Sequence, residues 1–116
     1  MDPIFDSKGR ARGWMYNDVI FDQAGRPRAF VKGEGVFSFR GLHLGFFRRG
    51  YVRDTSGHAV AFLRGARGTP VPPPPLVPPV APQRGQVPLK PQVSSASSSP
   101  NGAPDWSRLD WDAFLG

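Results

Sequence analysis

Val19-Ile20-Phe21-Asp22-Gln23-Ala24-Gly25-Arg26-Pro27-Arg28-Ala29-Phe30-Val31 holds two short apolar runs split by Asp-x-x-Gly, and the arrangement occurs four times in the chain. Gly9, Gly25, Gly41 and Gly57 stand sixteen residues apart without a slip. Matched columns surround them: Ile4, Ile20, Val36, Val52; Phe5, Phe21, Phe37, Arg53; Asp6, Asp22, Ser38, Asp54; Gly13, Ala29, Gly45, Ala61; Trp14, Phe30, Phe46, Phe62; and Met15, Val31, Phe47, Leu63. A gapless repeat of this kind is one supersecondary unit that cannot bury its apolar side alone. Asp-x-x-Gly suits a tight turn, because the carboxylate caps the turn and glycine takes a left-handed conformation at no steric cost. Each unit therefore reads as strand, turn, strand, and Asp6, Gly9, Asp22, Gly25, Gly41, Asp54 and Gly57 are turn residues.

Residues beyond this region are of another composition. Twelve of the fourteen prolines lie after Arg67, and proline removes backbone donors and interrupts helices and central strands. The expected organisation is an all-β, small closed barrel or ring of four hairpins over residues 1–67, a disordered Pro/Ser-rich linker over 68–104, and an acidic-aromatic tail over 105–116. In the linker the proline part should be stiff and extended and the Ser94–Ser99 part flexible. Pro72 to Pro75 could also dock in an aromatic groove, but spacing alone accounts for it. In so small a folded part, closure is favoured over an open sheet.

Strict alternation from the turn sorts the columns onto two faces. The Phe, Gly/Ala and Met/Val/Phe/Leu columns share an apolar face. The Ile/Val and Asp columns share the other with the Trp/Phe column and Arg10, Arg12, Arg26 and Arg28. Asp6 with Arg10, and Asp22 with Arg26, form cross-strand pairs worth a few tenths of a kcal/mol to about 1. The repeat is broken at Arg53, which stands in a Phe column, and at Leu42 and Leu44, which replace the arginine pair. Arg53 reads either as a rim residue snorkelling to water or as a contact to an anion.

Asp6-Ser7-Lys8-Gly9, Val19-Ile20-Phe21-Asp22, Gly41-Leu42-His43-Leu44-Gly45-Phe46-Phe47 and Asp54-Thr55-Ser56-Gly57-His58-Ala59-Val60-Ala61-Phe62 resemble the four petals of the bacterial four-fold β-flower domain. The resemblance covers the folded part. It implies a shallow, symmetric barrel with an apolar centre, somewhat like that of tubby-type lipid-binding domains, and it implies no activity. Arg53 and the arginine-rich second strands of the first two repeats depart from that pattern.

No catalytic constellation is legible. The aspartates serve turns, His43 and His58 occupy different repeat positions without metal-ligand spacing, and no phosphate loop is present. An enzyme and a cofactor are not expected. The net charge of +6 is concentrated in the hairpins, and basic surface suits anionic partners as well as solubility. There is no cysteine. No signal peptide or apolar span is legible, so a cytoplasmic location is the default expectation.

In the tail, Ser107 and Asp110 resemble a helix-capping pair, and Trp111, Phe114 and Leu115 would share one helical face. Such a short helix orders only against a surface. Trp106, Leu109, Trp111, Phe114 and Leu115 are the candidate anchors, either for a partner or for the chain's own barrel. The leading functional expectation is a non-catalytic module that binds an amphiphile, membrane surface or protein. Arg10, Arg12, Arg26, Arg28 and Arg53 with Trp14 and Phe30 form a candidate anion or ligand face. Two alternatives are nucleic-acid binding by Arg10, Arg12, Arg26 and Arg28 with Trp14 and Phe30 stacking, and a regulatory module capped by its own tail.

Overall fold

The computed structural model describes residues 1–94 and 100–116. Its eight strands are β1 (Asp2–Phe5), β2 (Ala11–Tyr16), β3 (Val19–Asp22), β4 (Pro27–Lys32), β5 (Gly35–Ser38), β6 (His43–Arg48), β7 (Tyr51–Asp54) and β8 (Ala59–Phe62), followed by helix α1 (Trp111–Leu115). Every strand is antiparallel to its sequence neighbour, and β8 returns to β1 to close the barrel. That closing seam is one pairing long, Phe5 with Phe62.

The turns inside the hairpins follow one design. Asp6 Oδ1 accepts the N–H groups of Lys8 and Arg10 at 2.9 and 3.0 Å. Asp22 does the same for Ala24 and Arg26, and Asp54 for Ser56 and His58. In the third hairpin Ser38 Oγ takes over, at the longer distances of 3.3 and 3.2 Å. Gly9, Gly25, Gly41 and Gly57 all have positive φ, as the turn reading requires.

The faces differ from strict alternation. Ile4 pairs with Gly13 but Phe5 pairs with Ala11, so Arg12 is left without an opposite residue. The same slip skips Arg28, Leu44 and Val60 in the later hairpins. An extra residue reverses the side-chain parity beyond it. The interior is consequently built from the Ile/Val, Gly/Ala and Met/Val/Phe/Leu columns. The Phe column moves to the outside, where Phe21 and Phe37 join Trp14, Val19 and Phe30 in a second buried cluster.

What buries an outer face is the Pro-rich segment. Expected to be a free spacer, it instead follows the rim of the barrel and visits the four turns in order. Leu76 N–H donates to Gly9 O at 2.8 Å, Gly85 N–H to Gly25 O at 2.8 Å, and Ala103 N–H to Gly57 O at 3.1 Å. At Gly41 the nearest groups are the side chains of Pro91 and Val93. Val93 also packs on the outer aromatic cluster, and Lys32 Nζ donates to Val93 O at 3.0 Å. Pro73, Pro82, Pro91 and Pro100, each half-buried, are nine residues apart. A nine-residue repeat thus runs in step with the sixteen-residue one. The flexible stretch expected at Ser94–Ser99 lies, apart from Ser94, outside the described residues.

Two predictions follow from this rim. An added Cβ at Gly25, where φ is +85, would stand 2.4 Å from Gln83 O, whereas at Gly33, also left-handed, it would meet nothing within 4 Å. Gly33→Ala should cost about 1 kcal/mol for the left-handed backbone alone. Gly25→Ala should cost clearly more in a denaturant titration, since the rim segment must also move. The second concerns acid. Burial, the largest single influence on Asp6 and Asp22, favours their neutral forms, but the turn N–H donors and nearby arginines together outweigh it and hold both below the ordinary carboxylate range. Stabilisation from such depressed groups is complete above the unfolded-chain pKa of about 4 and is lost as pH falls through the folded values. Asp22→Asn should therefore lower the melting temperature at neutral pH, with the gap to wild type narrowing below about pH 4. An equal gap at both pH values would refute the assignment.

Candidate functional site: the covered mouth of the barrel

The bulge residues Arg12, Arg28, Leu44 and Val60 are re-aimed by the slip in register, as bulges do, and all four meet the C-terminal helix or its surroundings. Two are charged and two apolar, and the difference matches what lies over them. Arg12 Nη1 is 3.2 Å from Asp110 Oδ1, and its Nη2 is 3.2 Å from Asp112 Oδ2. Arg28 Nη2 donates to Gly116 O at 2.8 Å. Leu44 and Val60 belong instead to the interior cluster that receives Trp111, Phe114 and Leu115.

The helix sits in the barrel mouth with Trp111, Phe114 and Leu115 at 2%, 3% and 5% exposure. Trp111 and Phe114 stack with ring centroids 6.0 Å apart. The small column below makes room for them. A Cβ on Gly45 would be 2.9 Å from Phe114 Cε1, whereas one on Gly13 would reach Trp111 Cζ2 at an ordinary 3.5 Å contact and clash instead with Phe21 O at 2.5 Å. Gly13 and Gly45 belong to opposite hairpins, and the intervening ones carry Ala29 and Ala61. The helix starts at an Asp110 N-cap whose Oδ2 accepts Asp112 N–H at 3.4 Å. Ser107 is not the cap; its hydroxyl donates to Asp54 Oδ2 at 2.6 Å and accepts Leu109 N–H at 3.0 Å. That hydroxyl is the foremost donor holding Asp54 below its usual range against burial.

Apolar burial outweighs charge in seating the tail. The Arg12 pairs involve Asp110 and Asp112 side chains that are 62% and 75% exposed, and pairs screened by solvent in this way contribute little. Burial is the largest single influence on Arg12 and disfavours its charge, but Asp110, Asp6 and Asp112 together outweigh it and raise its pKa, while the Arg12 hydrogen bond lowers that of Asp110. Three apolar side chains fully removed from water contribute roughly 1.5–3 kcal/mol each. One defect offsets part of this. Among the described residues Trp111 Nε1 is buried without a hydrogen-bond partner, which costs about 1–3 kcal/mol.

The other candidates divide. Arg10 and Arg26 pair with Asp6 and Asp22 at 3.2 and 3.3 Å on the surface. Arg53, only 7% exposed, lies on the outer side of the barrel, away from the other four. Trp14 and Phe30, 4% and 2% exposed, offer no stacking face, because Phe21 and Phe37 arrive beside them on the outer face and Met1, Phe39 and Val93 pack over the cluster. In the tail, Trp106 packs against Tyr51 and Phe62 beside the seam, with centroids at 6.3 and 6.0 Å. Leu109 remains 46% exposed and anchors nothing. Among the described residues no His, Cys, Asp or Glu group could hold a metal ion, and no helix is long and apolar enough to cross a membrane.

The family described as 4-fold beta flower protein matches residues 2–115. The chain belongs to that family. No curated protein and no solved structure matches it. The β-flower match takes in the rim segment and the terminal helix as well as the petals, whereas the likeness legible in the sequence stopped with the hairpins. The mouth of this β-flower and its helix are thus both within the matched span.

Phe114→Ala should free the tail far more than Arg12→Ala. Losing a buried aromatic costs about 3–5 kcal/mol, whereas an exposed, solvent-screened ion pair contributes little. Hydrogen exchange at the Phe114 and Gly116 amides, which bond to Asp110 O and Asp112 O, reads the difference. Equal acceleration in the two variants would contradict the ranking.

Proposed function

We propose that the protein is a non-catalytic binding module whose mouth accepts a short amphipathic segment, with its own tail as resident occupant. The observation that carries this reading is the burial of Trp111, Phe114 and Leu115 on the interior cluster, beneath acidic residues that face Arg12. A ligand of the same character, an apolar ridge with acidic flanks, would exchange for the tail. The tail so released would present its own aromatic side chains to a partner. Its indole N–H, unpartnered among the described residues, and its exposed charge pairs make the occupant replaceable. This joins the binding-module and tail-capped readings into one.

The interior argues against a ligand held at the barrel centre while the tail is seated. Ile4, Ile20, Val36 and Val52 are fully buried there, so an amphiphile needs the space the helix occupies. Nucleic-acid binding through the arginine face is disfavoured by the burial of Trp14 and Phe30 and by the aspartates facing Arg10, Arg12, Arg26 and Arg28.

A peptide of residues 105–116 supplies the test. Full-length Trp111→Ser/Phe114→Ser, with its mouth uncovered, should capture the fluorescent peptide, while the wild-type chain should capture much less. Adding Arg12→Glu should weaken capture several-fold through charge reversal. Failure of the uncovered variant to bind the peptide, with the variant still folded by circular dichroism, would refute the reading.

A further inference from the structure

Two departures from the repeat meet in one place away from the mouth. The first is Arg53, in the column that elsewhere holds Phe5, Phe21 and Phe37. The second is Arg49, in a column of turn residues. Its counterparts are Asn17, Gly33 and Gly65, and all four positions have positive φ, with Arg49 at 54°. Asn and Gly are suited to that conformation, whereas a long side chain is held in it at a cost. Arg49 thus strains its turn, and Arg53 puts a charge where three hairpins carry an aromatic ring.

Together with Arg48 and Arg67 they line a cleft of about 280 Å³ between the β6–β7 turn and residues 100–102 of the rim segment. The lining contains four arginines and no carboxylate. The ion pairs of Asp6, Asp22, Asp54, Asp110 and Asp112 involve none of the four. The cleft is braced. Arg67 N–H donates to Arg49 O at 3.0 Å, which ties the two arginine-bearing loops together. Arg53 Nη1 donates to Gly57 O at 2.9 Å, its Nη2 donates to Thr69 O at 2.5 Å, and its guanidinium lies 4.7 Å from the Tyr51 ring centroid. Gly102 passes so close that a Cβ there would be 2.7 Å from Arg53 Nη2. Burial, with Arg48 adding to it against the favourable effects of Tyr51 and Asp54, holds the Arg53 pKa below the usual arginine value. A buried cation without a counter-ion is costly unless something anionic completes it.

We infer that this cleft is an anion site for a multiply charged phosphate group, gripped by Arg48, Arg49, Arg53 and Arg67. Guanidinium groups match phosphate oxygens through paired charge-assisted hydrogen bonds. The volume suits a phosphate, a pyrophosphate or a phosphate-ester headgroup, and it excludes a nucleic-acid duplex.

Sodium pyrophosphate titrated into the full-length protein by calorimetry should bind and should weaken as salt is raised. Two substitutions restore what the other hairpins carry, Arg53→Phe and Arg49→Gly. Each should lower affinity about tenfold or more, the scale of one charge-assisted contact. Arg49→Gly should also leave the fold at least as stable, so the test survives if Arg53→Phe folds poorly. Arg26→Ala, outside the cleft, should bind as wild type does. Co-sedimentation with phosphatidic-acid vesicles distinguishes the sources. Sedimentation lost in the same two variants assigns a lipid headgroup, and pyrophosphate binding without sedimentation assigns a free phosphate. Absence of both, or wild-type affinity in Arg49→Gly, would overturn the inference.

Discussion

One unpaired residue in the second strand of every hairpin decides which side chains fill this barrel. Because Arg12, Arg28, Leu44 and Val60 have no partner across the strand, the residues after them change sides relative to the turn. The small column then meets the Ile/Val column in the interior, and the Phe column is sent outward beside the Trp/Phe column. An outer face carrying Trp14, Phe21, Phe30 and Phe37 cannot be left in water, and so the rim segment has something to cover. The bulge residues themselves are aimed at the mouth and hold the helix. Core, rim and tail all depend on the same slip in register.

The barrel and its turns were legible in the sequence because their causes are local. Asp-x-x-Gly dictates a turn within a few residues, and its recurrence at Gly9, Gly25, Gly41 and Gly57 shows that four such turns belong to one object. The helical face of Trp111, Phe114 and Leu115 was legible for the same reason. Parity across the bulge was not. Nothing in Arg-x-Arg-Gly or Leu-His-Leu-Gly announces which residue will be skipped, and alternation counted from the turn fails from that residue onward.

The course of the rim segment is hidden in the sequence for a different reason. Its proline content does forbid a ladder, and composition alone fits a solvated spacer. Yet proline also fixes an extended chain at low entropic cost, which is what lying against a curved edge requires. The signal was the spacing of Pro73, Pro82, Pro91 and Pro100. It is visible only when the segment is searched for its own repeat rather than for that of the hairpins. The arginines divide similarly. Those opposite aspartates could be paired by counting, whereas Arg49 and Arg67 come together only because the turn of one hairpin and the start of the rim segment share a backbone hydrogen bond.

The two interlocked periods restrict how such a molecule can change its size. Duplicating one sixteen-residue hairpin would widen the ring but leave the encircling segment one station short, with a turn glycine and a stretch of aromatic surface bare. Lengthening the encircling segment by nine residues alone would leave a loop with nothing beneath it. A ring of three or five hairpins is reached only by altering two separated parts of the gene together, and a single tandem duplication or deletion leads to an exposed, sticky intermediate. The number four is thereby protected against the commonest way in which repeat proteins grow.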